Sequence, residues 1–306
     1  MKTRHPYAES IRRKAIELGF SEIGFSKAER LNALEKPFGD WLTAGYNGEM
    51  KWLGNNFEKR LNPSELEPGT KTVISLLVNY YPESYQDGCG ISRYALGKDY
   101  HKVLRKKGKL LIRWMEEEIG SIQARVFVDS APVMEREWAQ RAGLGWQGKN
   151  GCFIRNMEGS WFFLVEIFTD LELEHEQVEV KNRCGSCTKC IDACPTQALL
   201  GDGLLDARKC ISYLTIELGG QIPQGFHGQW DDWIFGCDIC QEVCPWNKTP
   251  DFTAIDAFKP QQQILNLKNL LTEQCEEEEL SALIQGTALK RTGVEGLRRN
   301  QEIFKL

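Results

Sequence analysis

The sequence predicts an α+β protein: an α/β-like N-terminal part, a short cysteine-rich segment and a helical C-terminal stretch. Three observations carry this. Strand-like and helix-like patterns alternate over the first 180 residues; eight of the eleven cysteines fall between Cys184 and Cys244; and the chain after Asp251 is polar with a helical pattern. An acidic, poorly periodic stretch at Leu171–Lys181, with Glu172, Glu174, Glu176 and Glu179, marks a break. The expected domains are therefore residues 1–175, 176–250 and 251–306.

The elements follow in order. Ser10–Leu18 reads as a short amphipathic helix stopped by Gly19, with Arg12, Arg13 and Lys14 on its exposed side. Thr72–Asn79 is a continuous apolar run of strand length that ends near Pro82. Asp99–Ile119 is a long helix, basic in its first half and acidic at Glu116–Glu118. Ala124–Asp129 is a second strand, after which Ser130-Ala131-Pro132 is expected to open a helix, proline being suited to a first turn. Trp161–Phe168 is a third strand, and the Glu276–Glu279 run is expected to be a solvated helix face. The pattern does not determine the strand order.

Composition narrows the classes. The 306 residues suit about two domains at roughly 150 residues each. With 42% apolar and 26% charged residues, the chain is an ordinary globular one with enough core to fold without staples. The longest apolar runs, Thr72–Tyr81 and Trp161–Phe168, are about half a membrane span and contain Asn79 and Glu166, so no membrane association is expected. The polar start, Met1–Ser10, lacks a signal-peptide pattern, and a cytoplasmic location is expected. A net charge of −5 gives no global pull toward nucleic acid, which would need a local basic patch. Two exist: Lys98, Lys102, Arg105, Lys106, Lys107, Lys109 and Arg113 in sixteen residues, and Lys290, Arg291, Arg298 and Arg299. The plainer alternative is that such runs are solvated helix faces.

Cytosolic thiols stay reduced, so clustered cysteines point to metal ligation rather than disulfides. Cys184-Gly-Ser-Cys187-Thr-Lys-Cys190-Ile-Asp-Ala-Cys194-Pro195 is the C-x2-C-x2-C-x3-C-P run of bacterial ferredoxins, whose fourth cysteine ligates the other cluster of a pair. A second run, Cys237-Asp-Ile-Cys240-Gln-Glu-Val-Cys244-Pro245, is one cysteine short, and Cys210 fills the gap. Two [4Fe–4S] clusters are expected, one on Cys184, Cys187, Cys190 and Cys244, the other on Cys194, Cys210, Cys237 and Cys240. Structural zinc is the alternative, because C-x2-C pairs also hold zinc, though zinc sites require no reciprocal Cys-Pro runs. Two clusters relay electrons without identifying an acceptor.

Upstream there is no dinucleotide or phosphate-loop motif, and the four histidines form no metal-binding pair. Asp129 is the best polar candidate, at a strand end before a helix, where open α/β sheets collect ligands. The alternative is that it only caps that helix. Arg60 would by default be a surface charge, and Ser212 a helix residue beside a cluster.

Three segments, Val128-Asp-Ser-Ala-Pro-Val-Met-Glu-Arg136, Arg93-Tyr-Ala-Leu-Gly-Lys-Asp-Tyr-His-Lys102 and Ala142-Gly-Leu-Gly-Trp-Gln-Gly-Lys-Asn150, closely resemble motifs of the epoxyqueuosine reductase family. So do the first cysteine run, Cys210-Ile-Ser-Tyr-Leu-Thr215 and Gly236-Cys-Asp-Ile-Cys240. The resemblance spans residues 7 to 300. It implies a tRNA-modifying oxidoreductase, dependent on cobalamin and iron–sulfur clusters, that reduces epoxyqueuosine to queuosine at the wobble position, the last step of queuosine synthesis. It further implies an N-terminal domain related to reductive dehalogenases. Base-off cobalamin, without a protein histidine on cobalt, would lie between that domain and the cluster domain. Asp129 would be the proton donor, kept protonated by burial against the corrin face, and would line the corrinoid with Arg60, Ser212, Cys237 and Asp238. Asp99-Tyr-His101 matches only the start of a D-x-H-x-x-G corrinoid signature, because residue 104 is Leu, and His101 is expected to be structural. A monomer fed by an external low-potential electron donor is expected. Longer family members carry a C-terminal helical-repeat domain, and a chain ending at Leu306 is expected to lack it. Two rivals stand beside this. A reductive dehalogenase shares the cofactor plan but is typically exported behind a twin-arginine signal, and an electron-transfer module would bind no cobalt.

Overall fold

A computed structural model describes residues 7–85, 88–175, 180–230, 232–272 and 275–303; His5, Glu176, Glu179 and the domain boundary expected at 176 lie outside them. The chain runs through α1 (Ala8–Glu17), β1 (Glu22–Lys27), α2 (Asn32–Thr43), α3 (Phe57–Leu61) and α4 (Pro63–Leu66) to β2 (Thr72–Asn79). It continues with α5 (Tyr100–Ile119), β3 (Ala124–Phe127), α6 (Glu135–Arg141), the short pair β4 (Trp146–Gln147) and β5 (Phe153–Ile154), and β6 (Phe162–Thr169). Four strands form one sheet in the order β1-β2-β6-β3. All three pairings are antiparallel, with Ser75 opposite Glu166 and Glu166 opposite Phe127.

The α+β class holds, but the sheet contains no parallel βαβ unit. The rule that places ligands at the carboxyl ends of parallel strands therefore does not apply to Asp129. Each face of the sheet is covered, which explains why β2 reads as an unbroken apolar run. On one face, Ile11 and Ala15 of α1 and Leu104, Leu111 and Met115 of α5 pack with Ile74, Leu76, Val165 and Ile167, all fully buried. On the other, Trp138 of α6 packs with Val73, Phe127 and Phe168. Each such side chain contributes roughly 1.5–3 kcal/mol through burial.

α5 positions the site. Asp99 caps its N-terminus, its side chain accepting from the His101 N–H at 3.0 Å. Gly108 faces β3, and a Cβ there would collide with the Val126 side chain, so the glycine lets α5 lie close to the sheet. The next helix differs from expectation: α6 starts at Glu135, not at Pro132. Residues 128–134 form a loop in which Asp129 adopts φ 55°, and Ser130 N–H turns back to Val128 O at 2.6 Å. Asp129 therefore does not cap α6. β1 was not predicted; its half-polar run Glu-Ile-Gly-Phe-Ser-Lys is buried by coverage from both sides.

The cysteine-rich part is short elements: α7 (Lys189–Asp192), β7 (Leu199–Gly201), β8 (Leu204–Leu205), α8 (Ile211–Ile216) and α9 (Ile239–Glu242). After it come α10 (Gln262–Leu265), α11 (Leu267–Thr272), α12 (Glu277–Ile284) and α13 (Gly293–Glu302). Ile264, Leu267, Leu280, Ile284 and Leu297 share a core with Ile91, Leu96, Ile234 and Phe235. Asn300, fully buried, donates to Thr215 O at 2.7 Å and Ile234 O at 2.8 Å, fastening α13 to the cysteine-rich part. Glu276–Glu279 are exposed, as expected. Among the described residues no helix is long and apolar enough to cross a membrane.

Candidate active site and thiol clusters

Asp129 faces outward from the loop after β3, its side chain 58% exposed, while Tyr100, His101 and Glu135 enclose its inner side. Tyr100 Oη donates to Asp129 Oδ2 at 2.6 Å, and His101 Nε2 lies 3.2 Å from the same oxygen. His101 Nδ1 is 2.9 Å from Asp99 Oδ1, so the capping residue of α5 also orients the imidazole. The Tyr100 ring stacks on Phe163 at 4.3 Å and on His101 at 4.1 Å. Asp129 Oδ1 makes no hydrogen bond among the described residues and is left to the open side.

The proton distribution follows from competing effects. For Asp129, burial of the inner side favours the protonated form, but the hydrogen bonds from His101 and Tyr100, with the nearby charges of His101 and Arg136, win and lower its pKa. For His101, burial opposes protonation, but hydrogen bonds to Asp129 and Asp99 raise its pKa. Glu135 accepts from the Asp129 N–H at 2.6 Å; burial first, and then the charge of Asp129, push its pKa up to about 8. These neighbours favour the carboxylate form of Asp129 and hold protons beside it. Sequence alone also assigns His101 a structural part, whereas its ring contacts Asp129 directly.

Arg60 is no surface charge. It is 6% exposed, its Nε donating to Leu53 O at 2.9 Å and its guanidinium lying 5.5 Å from the Trp52 ring centroid. Burial lowers its pKa, and the charge of Glu135 partly offsets this. The Asp238 side chain, 1% exposed, is fully engaged: it accepts from Ser92 Oγ, from Arg93 N–H at 2.8 Å and from Arg93 Nη1 at 3.1 Å. Arg93 in turn lies 3.8 Å from the Tyr85 ring centroid. The carbonyl of Asp238 accepts from the Gln241 and Glu242 N–H groups, each at 2.9 Å, so its backbone N–H is what is left for other contacts among the described residues. At Tyr94 burial, then the charges of Asp129 and Asp238, raise the pKa. Ser212, in the first turn of α8 two residues after Cys210, has a hydroxyl with no hydrogen bond among the described residues. No hydrogen bond joins Ser212 or Cys237 to Asp129 among those residues.

The thiols fall into two neighbourhoods. After burial, Cys184 and Cys187 raise the Cys190 pKa, and Cys184 and Cys190 raise that of Cys244. Likewise Cys194 acts on Cys210, and Cys210 and Cys194 act on Cys237. Cys240 sits with the second group, hydrogen-bonded to Cys152 and acted on by Cys237 and Cys210. Sequence reasoning left Cys152 among the scattered cysteines, and its only signal was proximity to Asn150, whose side chain donates to Cys240 O at 3.3 Å. No three His, Cys, Asp or Glu side chains among the described residues gather closely enough for a single ion.

The two basic patches differ. Lys102, Arg105, Lys106, Lys109 and Arg113 are exposed along α5, and Arg105 donates to Ser130 Oγ beside Asp129. Lys107 instead donates to Leu18 O at 2.5 Å and is structural. In the C-terminal patch Arg291 pairs with Glu217 at 2.6 Å, Arg298 donates to Cys275 O at 3.0 Å, and Arg299 donates to Leu218 O and Gly220 O at 2.6 Å. That patch is largely spent on the fold. An open cavity of about 1930 Å³ runs along β1, at the sheet edge opposite β3, and is not the site around Asp129.

Comparison with known proteins adds the following. Residues 183–247 match the family described as "4Fe-4S double cluster binding domain", and residues 60–130 the one described as "Epoxyqueuosine reductase QueG, DUF1730". An epoxyqueuosine reductase of Cyclobacterium marinum is 44% identical over 100% of this chain and 99% of its own length. A crystal structure of epoxyqueuosine reductase with a tRNA-Tyr epoxyqueuosine-modified stem loop matches with TM-score 0.88 and 32% identity, covering 96% of this chain and 80% of that one. The Bacillus subtilis enzyme, in a structure with its catalytic aspartate loop swung out of the active site, matches with TM-score 0.87 and 32% identity over the same shares.

Proposed function

The chain belongs to the epoxyqueuosine reductase family, and we propose from that premise that it reduces epoxyqueuosine to queuosine at the wobble position of tRNA, the last step of queuosine synthesis, with Asp129 as the proton donor. The observation that carries this is an outward-facing Asp129, backed by protonatable neighbours, in a chain 44% identical throughout to an epoxyqueuosine reductase.

Reducing an epoxide to an alkene takes two electrons and two protons and releases one water. An alkoxide leaves poorly, so the oxygen must be protonated as it departs; a positioned acid contributes about 10²–10⁴-fold. Asp129 Oδ1 is on the open side for that contact, while Tyr100 and His101 fix the carboxyl through Oδ2. The cysteines grouped around Cys190 and Cys244, and around Cys210 and Cys237, suit two [4Fe–4S] clusters on the sets Cys184, Cys187, Cys190, Cys244 and Cys194, Cys210, Cys237, Cys240.

The residues present also fit cobalamin. The Ser212 hydroxyl is unengaged, Arg60 is buried with only carbonyl hydrogen bonds, and both ring nitrogens of His101 are occupied, leaving it nothing to offer cobalt. Arg60, Ser212 and the backbone at Cys237 and Asp238 would hold base-off cobalamin, which when bound would supply strongly reducing chemistry. In this reading residues 1–175 form the catalytic domain, 176–250 the cluster domain and 251–306 a helical segment. The exposed cations of α5 would meet tRNA phosphates next to the Asp129 loop. We place the protein in the cytoplasm, as a monomer fed by an external low-potential donor.

Nucleoside mass spectrometry of substrate tRNA after anaerobic reaction tests this. Loss of one oxygen from the modified base, dependent on cobalamin, is expected. No conversion at full iron and cobalt occupancy would overturn the assignment and favour another corrinoid reduction.

A further inference from the structure

We propose that Asp99 and His101 form a proton relay that supplies the second proton of each turnover through Asp129; this rests on the epoxide reduction proposed above. A second delivery through Asp129 calls for reprotonation of its carboxyl within each turnover. Two protons are consumed per epoxide, and one carboxyl holds one.

The geometry identifies the source. Two groups donate toward the Asp129 carboxyl, Tyr100 Oη at 2.6 Å and His101 Nε2 at 3.2 Å, both to Oδ2, while the Asp129 N–H itself donates to Glu135 Oε1 at 2.6 Å. The last is a backbone contact and moves no proton onto the carboxyl. Tyr100 is a poor source, because burial and the charge of Asp129 hold its hydroxyl protonated. His101 is suited to the task. When Nε2 passes its proton to Oδ2, the Nδ1–H stays on Asp99 Oδ1 at 2.9 Å, so the neutral imidazole keeps the correct tautomer. Its side chain is 27% exposed, which gives solvent a way to recharge it. Rotation about the Asp129 Cβ–Cγ bond then presents the proton on the open side, where Oδ1 has no partner. The charged and titratable groups around the relay are Asp99 and Tyr100 from α5, Asp129 from the loop, Glu135 and Arg136 from α6, Tyr94 and, further off, Arg291. The carboxylates on both sides of His101 favour its protonated form at neutral pH.

The test compares wild type, His101→Gln, Asp99→Asn and Asp129→Asn, each with reconstituted clusters and cobalamin, in anaerobic turnover of epoxyqueuosine tRNA across pH. His101→Gln keeps a hydrogen bond to Asp129 but carries no transferable proton. Its kcat is expected to fall about 10²-fold with KM for tRNA unchanged, and its rate to lack the alkaline decline that the relay predicts for wild type. Asp99→Asn still caps α5, and its alkaline decline is expected to move to lower pH. Independently of activity, the His101 imidazole pKa followed by NMR is expected to drop in both aspartate variants. Wild-type kcat and pH profile in His101→Gln, alongside an inactive Asp129→Asn, would overturn the relay and leave the function standing. Wild-type enzyme that makes no queuosine would instead overturn the function and the relay with it.

Discussion

The backbone N–H of Asp129 donates to Glu135 Oε1 at 2.6 Å, tying the loop that carries the proposed acid to the first residue of α6. Asp129 adopts φ 55°, a left-handed conformation that aspartate tolerates better than most residues, and this contact holds it there. The carboxyl of Glu135 therefore has a positional role, and its own proton has a measurable consequence.

Burial and the charge of Asp129 push Glu135 up to about 8. Between the ordinary carboxylate range and that value the folded state keeps a proton that the unfolded state has lost. Stability contributed by this group therefore falls as pH rises through that window. Asp129, with a lowered pKa, acts in the opposite sense but only at more acidic pH, as its carboxylate is protonated. Glu135→Gln is neutral at every pH and still accepts the Asp129 N–H. Its Tm relative to wild type is expected to be higher at pH 8 than at pH 5. An identical difference at both would show that Glu135 ionises normally.

The cations of α5 divide by role. Lys102, Lys106, Lys109 and Arg113 recur at helical spacing along one exposed face. Replacing Lys102, Lys106 or Lys109 with Ala is expected to weaken tRNA binding and to reduce the slope of log affinity against log salt by about one per residue. Lys107→Ala, which removes the bond to Leu18 O, is expected to lower Tm and leave that slope unchanged. Binding curves at several salt concentrations decide it; unaltered slopes in all three exposed variants would remove α5 from the interface.

The thiol neighbourhoods predict independent cluster losses. Cys210→Ser is expected to lower bound iron from about eight to about four per chain and to leave one electron paramagnetic resonance signal; Cys244→Ser should leave the other. Identical residual spectra from the two variants would contradict the assignment of Cys210 and Cys244 to different clusters.

Asp238 and Arg93 join the cysteine-rich part to the segment before α5 through a buried pair, at 9% and 1% side-chain exposure for Arg93 and Asp238. Removing Asp238 takes the buried partner from Arg93, leaving it Glu242 alone, and unpairs the Ser92 hydroxyl and the Arg93 N–H. Asp238→Ala is expected to lose about 3–5 kcal/mol in denaturant unfolding. A loss below about 1 kcal/mol, the range of surface ion pairs, would show that the pair is solvated.

Much of this was legible in sequence, and the exceptions have physical causes. The β2 run and the long helix α5 are local signals: continuous hydrophobicity and an amphipathic helical period. Strand order is not local, and alternating strands and helices here build an antiparallel sheet because its layers are set by long-range pairing. Glu58-Lys59-Arg60 resembles a solvated face, yet α3 turns its last residues inward and buries Arg60 against Leu53 and Trp52. His101 lies 28 residues before Asp129, and only the packing of α5 beside β3 brings its ring to the carboxylate. Cys152 was missed for the same reason: only the fold brings it, with Asn150, to Cys240.

The measurement that tests the central claim most directly is anaerobic single-turnover reduction of epoxyqueuosine tRNA by wild type and Asp129→Asn, each with clusters and cobalamin reconstituted, followed by nucleoside mass spectrometry. Wild type is expected to yield queuosine. Asp129→Asn should bind tRNA and cobalamin normally and form product at least about 10²-fold more slowly. Turnover near wild type in that variant would contradict the assignment of Asp129 as the acid.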